Sequence, residues 1–268
     1  MSLARYYFRS YTEMPSQGNN NEQHSVGIVI PSYKESENIV KLLREILKHV
    51  PSAEIVVVDD SPDMDTVSAV NGASLPKVSC IHRTSKGGRG SAVLEGLRQL
   101  TDRGCAQFVE IDADFSHPPS QMPALLQQAQ ERRLDMLVAS RYLRESAIKN
   151  WPLSRRVFSK ASNILARLVL GVPIADYTNG YRVYSLPAVC VINDTCGKYG
   201  KGFISLSEIL VNLYFRGFKI GETPTIFVNR ARGESSVNFQ EIKNALVGLF
   251  RIYSLKRQLQ KARQSSKQ

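Results

Sequence analysis

Short apolar runs recur along the first half of the chain, separated by stretches whose apolar residues repeat at helical spacing. Val26 to Ile30 is the first run and meets Pro31. Ile39, Leu42, Leu43, Ile46 and Leu47 then fall on one helical face. Ile55 to Val58 is a β-branched run closed by Asp59-Asp60, and Val78 to Ile81 is a third strand. Ser91 to Leu100 reads as a helix, and Phe108 to Ile111 as a strand that ends in Asp112-Ala113-Asp114. Pro123 to Arg132 is helical and Met136 to Ala139 is a fifth strand. Strands alternating with helices at this spacing predict an α/β domain, a mainly parallel sheet with helices on both faces. Ligands of such sheets bind outside the carboxyl ends of the strands, where three of these runs carry polar or acidic clusters.

The second half changes pattern. Ser154 to Leu170 reads as an amphipathic helix with a basic start, Tyr181 to Tyr184 and Lys219 to Val228 as strands, and Glu241 to Arg263 as a long helix. On that last helix Ile242, Ala245, Leu246, Leu249, Phe250 and Tyr253 form one stripe, followed by Lys256, Arg257, Lys261, Arg263 and Lys267. Such a helix either packs on the domain or lies on an anionic membrane. Residues 1–24 are polar, apart from Tyr6-Tyr7-Phe8, and read as a flexible arm. The expected division is an arm over 1–24, one domain over 25–240, and a basic amphipathic helix and tail over 241–268.

Composition narrows the function classes. With 268 residues and 43% apolar content the chain can bury a large core. The net charge of +11 suits phosphate-bearing substrates, an anionic membrane or nucleic acid. No stacking-aromatic and basic motif supports nucleic acid. The cysteines at 80, 105, 190 and 196 make no Cys-x-x-Cys pair, so reduced thiols and no zinc site are expected. No leader pattern opens the chain, and no run reaches the roughly 18 apolar residues that span a bilayer. A cytoplasmic protein that does not itself cross a membrane is the expectation.

The candidate chemistry sits at the strand ends. Two carboxylates two residues apart, Asp112 and Asp114, can converge on a hard cation such as Mg²⁺ or Mn²⁺; they can also be ordinary loop aspartates. Asp60 can accept hydrogen bonds from a ribose or base, or can cap a turn with Ser61 and Asp63. Lys86-Gly87-Gly88-Arg89-Gly90 precedes a helix and can hold an anion, but matches neither the Walker loop nor the dinucleotide fingerprint. Arg141, Arg155, Arg156, Arg230 and Arg232 recur after strands and in loops, in positions suited to phosphate.

In order along the chain these features resemble one family. Pro31-Ser32-Tyr33-Lys34-Glu35 with Asn38, Asp59-Asp60, Asp112-Ala113-Asp114-Phe115-Ser116-His117-Pro118 and Ser140-Arg141-Tyr142 look like family 2 glycosyltransferases of the GT-A fold. Within that family they resemble the dolichol- or polyprenol-phosphate mannosyltransferases. Asp176-x-Thr178-Asn179-Gly180-Tyr181-Arg182, Lys201-Gly202-Phe203 with Glu208, Glu222-x-Pro224 and Arg230-Ala231-Arg232-Gly233-Glu234-Ser235 extend the match over about 25–240. The pattern departs at Ser116, at Leu143 to Asn150, and at Ser236.

The resemblance implies an inverting enzyme that moves a sugar, mannose from GDP-mannose, to a polyprenyl or dolichyl phosphate. It implies that Pro31, Tyr33, Glu35, Val58 and Asp60 hold the nucleoside, and that Asp112 and Asp114 bind the metal and diphosphate beside Ala113. It further implies that Arg141 and Arg230 contact phosphates, with Asp114 and Arg141 central to catalysis, and that Arg155 and Ser159 bind the acceptor phosphate. The partners implied are a nucleotide sugar, a lipid phosphate, the cytosolic face of a membrane and possible small membrane subunits. Two alternatives stay open: a family 2 transferase using UDP-glucose, UDP-GlcNAc or a glycan hydroxyl acceptor, and a non-catalytic basic binding protein.

Overall fold

A computed structural model describes residues 25–85, 87–199, 204–229 and 239–265, with side chains of the last helix described from Val247 onward. The strands are β1 (Val26–Ser32), β2 (Glu54–Asp59), β3 (Val78–His82), β4 (Gln107–Glu110), β5 (Met136–Ser140), β6 (Ala147–Lys149), β7 (Arg182–Ser185), β8 (Ile220–Pro224) and β9 (Ile226–Val228). The helices are α1 (Ser36–His49), α2 (Asp65–Gly72), α3 (Arg89–Asp102), α4 (Met122–Glu131), α5 (Leu153–Leu170), α6 (Leu186–Thr195), α7 (Ile204–Phe215) and α8 (Phe239–Ser265). The expected α/β sandwich is present: seven strands in the order β3-β2-β1-β4-β7-β5-β8, parallel except for β7, which runs against both neighbours.

The two-residue period of the strands explains why the runs read as apolar throughout. Ile28, Ile30, Ile55 and Val57 face α1 and its neighbours on one side of the sheet. Val29, Val56 and Val58 face α3 on the other, in a core that takes in α6, α7 and α8. Both faces are covered, so Ile28 to Ile30 and Ile55 to Val58 run apolar without alternation. Helix α3 lies very close to β1 and β2 because Gly96 carries no side chain there; a Cβ would overlap Val29.

Two strands required the structure. The stretch over Lys219–Val228 divides into β8, on the edge of the main sheet, and β9, which pairs with β6 in a separate two-stranded sheet. Helix α7 is buried on nearly every side, which removes the amphipathic period that would have revealed it. Helix α8 packs Ile252 and Leu255 into the core beside Leu249, while Phe250 and Tyr253 of the expected stripe face outward. Ile242, Ala245 and Leu246 have side chains outside the described residues. The arm over 1–24, Lys86, Lys201 to Phe203, and the loop with Arg230, Arg232 and Ser236 also lie outside the described residues. Among the described residues no helix is long and apolar enough to cross a membrane, and the four cysteines form no disulfide.

Candidate active site

The carboxyl ends of β1, β2, β4 and β5 share one edge of the sheet, and β7, running the other way, brings its beginning to the same edge. A cleft of about 470 Å³ opens there, lined among others by Pro31, Tyr33, Glu35, Asp60, Asp112, Ala113, Asp114, Arg141 and Arg155. Of the residues expected at the site, these nine come together. Val58 is fully buried and packs toward Gly96 in the core, so its side chain does not face the cleft. Ser159 is one helical turn beyond Arg155 on α5 and accepts a hydrogen bond from the Tyr142 hydroxyl at 2.6 Å. Arg230 lies outside the described residues, one position beyond Asn229, which lines the cleft.

The turns that leave these strands use backbone that most side chains avoid. Lys34, Phe115 and Asn150 have φ of 58°, 58° and 60°, each next to a cleft residue. Asp114 closes its own turn by accepting the Ser116 amide at 3.0 Å. The two-stranded sheet covers this loop, with the Val228 amide donating to the Ser116 carbonyl at 3.0 Å.

The acidic residues are held by arginines. The Arg83 fork donates to Asp60 at 2.5 and 2.6 Å, and the Gly88 amide donates to the same carboxylate at 2.8 Å. Gly88 has φ of 83°, in the region that favours glycine. The glycine turn, read as a possible anion cradle, therefore grips a carboxylate of the protein. Arg89, the first residue of α3, donates through Nε and Nη2 to Asp112 Oδ1 at 2.9 and 2.7 Å, and through Nη1 to Glu110 at 2.6 Å. Glu110 is fully buried and its other oxygen accepts from the Tyr184 hydroxyl at 2.6 Å. Burial works to raise the Asp112 carboxyl, but Arg89, aided by His117, overcomes it and holds the group well below the usual carboxylate range. Burial and the charge of Glu110 push the Tyr184 hydroxyl well up, so it remains a donor.

Gly180 makes room for this arrangement. A Cβ there would overlap the Arg89 guanidinium, which explains the glycine inside the Asp176 to Arg182 motif. Asp176 and Thr178 of that motif serve Arg141. Its Nε and Nη2 bind Asp176 at 2.8 Å each, and Nη2 also donates to Thr178 at 2.7 Å. Burial opposes the Arg141 charge, but the Asp176 carboxylate outweighs it and raises the guanidinium further. Asp176 is correspondingly lowered against its own burial. Arg141 and Arg155 both lie against the indole of Trp151, at 5.5 and 4.3 Å from the ring centre. Arg155 also donates to Asn229 at 3.3 Å. The single tryptophan thus aligns two guanidiniums that are distant in sequence.

Arg83, Trp151, Phe227 and Asn229 were not singled out from the sequence, and Arg89 was noted only as part of the glycine turn. The signals were thin: an arginine after two glycines at a helix start, and the chain's only tryptophan between two loops. Among the described residues no three His, Cys, Asp or Glu side chains converge as a ready-made metal cage. Asp112 and Asp114 nonetheless suit a hard cation. Arg89 holds Oδ1 of Asp112, while Oδ2 turns toward His117 Nε2 at 3.5 Å, too long for a firm hydrogen bond. His117 is fully buried and neither ring nitrogen has a hydrogen-bond partner.

Known proteins share sequence and fold with this chain. Residues 27–190 match the family described as glycosyl transferase family 2. The chain is 35% identical to the undecaprenyl-phosphate mannosyltransferase of Micrococcus luteus over 83% of this chain and 91% of that protein. It is 34% identical to the polyprenol monophosphomannose synthase of Mycolicibacterium smegmatis, over 82% and 83%. It is 32% identical to the dolichol-phosphate mannosyltransferase of Pyrococcus furiosus, over 85% of this chain but 63% of that one. Among solved structures, the glucosyl-3-phosphoglycerate synthase of Mycobacterium tuberculosis, bound to Mn²⁺, UDP and glucosyl-3-phosphoglycerate, aligns with a TM-score of 0.60. That alignment covers 85% of this chain and 80% of the other at 19% identity, and establishes the shared fold.

Proposed function

This chain belongs to glycosyl transferase family 2, and on that footing we propose that it moves mannose from GDP-mannose to a polyprenyl or dolichyl phosphate. The observation that carries the reading is the cleft itself, where Asp112 and Asp114 lie with Arg141 and Arg155 at the carboxyl edge of the sheet. The names of the three relatives support the sugar and the acceptor.

The nucleoside end of the donor lies against Pro31, Tyr33, Glu35 and Asp60, and its diphosphate reaches Asp112 and Asp114. Those two carboxylates would hold Mg²⁺ or Mn²⁺, with further positions left for substrate oxygens and water. The ion, when bound, neutralises charge on the departing diphosphate. Arg89 holds Asp112 in place, and Arg141, itself fixed by Asp176 and Thr178, presents a permanent positive charge to the phosphates. Arg155 and Ser159 hold the acceptor phosphate, and one of its oxygens displaces the diphosphate at the anomeric carbon with inversion. An ionised phosphate needs no base to attack, whereas a hydroxyl acceptor would need one within hydrogen-bond reach. Asp60, Asp112, Glu110 and Asp176 are each already paired with an arginine, which favours the phosphate acceptor. In this reading the protein works at the cytosolic face of a membrane, alone or with small membrane subunits.

The test is a donor screen with purified protein, a polyprenyl phosphate and Mg²⁺ or Mn²⁺, following radiolabelled sugar into organic solvent. An acid-labile mannolipid is expected from GDP-mannose. Transfer from UDP-glucose or UDP-GlcNAc alone, transfer without a divalent ion, or full activity in Asp114→Ala would overturn the corresponding part.

A further inference from the structure

His117 is buried without the hydrogen bonds that burial of a polar ring calls for. Its side chain is fully covered, and neither ring nitrogen has a partner among the described residues. An unpaired polar group in the interior is costly, and an apolar side chain of similar size avoids that cost. The chain nonetheless fixes this ring closely. Phe115 turns the backbone with φ of 58°, which brings the residues after Asp114 back beside Asp112. The Ser116 amide donates to Asp114 Oδ1 and the Ser116 carbonyl accepts the Val228 amide, each at 3.0 Å, so the residue before His117 is tied on two sides. The imidazole packs against Tyr181 and Phe227, 5.1 and 5.2 Å away between ring centres, the second contact edge-on. Held in this way, Nε2 lies 3.5 Å from Oδ2 of Asp112. The other oxygen of that carboxylate is taken, since Arg89 donates to Oδ1 twice, at 2.9 and 2.7 Å. Oδ2 is therefore the oxygen left for a cation, and His117 faces it.

We propose that His117 is a positioning residue of the ion site: it donates from Nε2 to Oδ2 of Asp112 and so aims that oxygen's remaining lone pair at the cation. This role deepens the functional reading above, because it rests on Asp112 and Asp114 holding the ion. An ionised carboxylate oxygen has two lone pairs, so Oδ2 accepts one N–H and still binds a cation. Carboxylates that ligate metals are held by neighbouring donors in this way, and loss of such a donor costs roughly 10–100-fold in affinity. With Arg89 on Oδ1 and His117 on Oδ2, the carboxylate is gripped on both oxygens and cannot turn about its Cβ–Cγ bond. Nε2 has only about 0.5 Å to travel to ordinary hydrogen-bond length. Two other roles fit less well. As a direct ligand His117 would have to converge with Asp112 and Asp114, and among the described residues no such three-membered cage forms. For packing alone a leucine would serve better, meeting Tyr181 and Phe227 without two unpaired nitrogens.

Mn²⁺ binding to the full-length protein is followed by electron paramagnetic resonance with GDP at saturation. Wild type is expected to bind the ion, and His117→Leu should bind it about 10–100-fold more weakly. His117→Gln, whose amide nitrogen can take the place of Nε2, should recover most of that affinity. GDP binding without any divalent ion, measured by calorimetry, should be alike in all three proteins, because His117 acts through Asp112 and not on the nucleoside. His117→Leu should melt within about 4 °C of wild type or above it, since it takes two unpaired nitrogens out of the interior. A merely structural histidine gives the reverse pattern, a melting temperature lowered by ~10 °C or more with Mn²⁺ affinity unchanged, and that result refutes the proposal. Equal weakening of Mn²⁺ binding in the leucine and glutamine variants refutes it too, since the restored donor then makes no difference. If wild type binds no Mn²⁺ in the presence of GDP, the metal reading fails and the role of His117 with it. If wild type and His117→Leu bind Mn²⁺ equally, the metal reading stands and the role of His117 alone fails.

Discussion

Replacing Arg89 by leucine isolates the device that holds the acidic site. Its guanidinium joins Glu110, which is fully buried, to Asp112, whose side chain is 24% exposed. Leucine fills much of the volume but leaves Glu110 without the cation it is paired with. Removing one partner of a buried pair costs about 3–5 kcal/mol, because the remaining charge is desolvated and unmatched. For a chain of this size each kcal/mol moves the melting temperature by about 2–4 °C, so a fall of roughly 6–20 °C is expected. Glu110→Gln alone should cost less, since Arg89 keeps Asp112 and Tyr184 keeps a partner. The double variant Arg89→Leu/Glu110→Gln should be more stable than the sum of the singles by roughly 1–3 kcal/mol. Calorimetry of the four proteins measures the coupling directly. Additive singles, or an Arg89→Leu protein melting within 2 °C or so of wild type, would show that the pair does not hold the site together. Transferase activity, read well below the melting temperature, should fall at least ~tenfold in Arg89→Leu, since about 1.4 kcal/mol of lost positioning is enough for that factor.

Three further outcomes follow from the same geometry. Gly180→Ala should reproduce the activity loss of Arg89→Leu, because its Cβ displaces the guanidinium; an active Gly180→Ala enzyme with unchanged kinetics would refute the close approach. Asp176 has a lowered folded-state pKa, so its stabilisation is present above the unfolded value near 3.9 and is lost as pH falls through that value toward the folded one. Asp176→Asn should therefore be less stable near neutrality, and its unfolding free energy should fall less steeply below about pH 4 than that of wild type, measured by urea denaturation across pH. Burial pushes the Cys80 and Cys196 thiols up to about 12, leaving a thiolate fraction of roughly one in ten thousand at pH 8. Iodoacetamide at that pH should leave both largely unmodified in native protein by peptide mass mapping, and rapid labelling of either would contradict the raised thiols.

The parallel sheet was legible because strands covered on both faces must be apolar without alternation, as Ile55 to Val58 shows. Helix α7 was illegible for the same reason carried further: Leu206, Ile209, Leu210, Val211 and Leu213 are buried around its circumference, so no face stood out. The α5 helix was read as amphipathic, but sequence periodicity cannot say which face meets the protein. At the site, the acidic strand ends and Arg141 were legible because strand-end polar residues have few other places to go, and Arg155 because it sits in the basic first turn of α5. Their partners were not. Glu110 and Arg182 lie opposite one another across β4 and β7 inside apolar runs, where buried charges are rare enough to merit notice. Arg89 finds Asp112 across 23 positions of sequence, a distance no local pattern spans.

The arginine partners also determine the electrical sign of the cleft. The chain carries a net charge of +11, yet among the described residues the cleft wall holds Glu35, Asp60, Asp112 and Asp114 against Arg89, Arg141 and Arg155. Counted with Arg83, Arg182, Glu110 and Asp176 just behind them, these described groups hold one more carboxylate than guanidinium inside a positive protein. A nucleotide diphosphate approaching such a pocket meets repulsion near Asp112 and Asp114 unless a divalent ion arrives with it. Nucleotide and ion must then tighten one another's binding by the same factor, since coupling between two ligands is reciprocal. Among the described residues the excess positive charge lies outside this group and so acts over longer distances, on what the protein drifts toward before any donor enters.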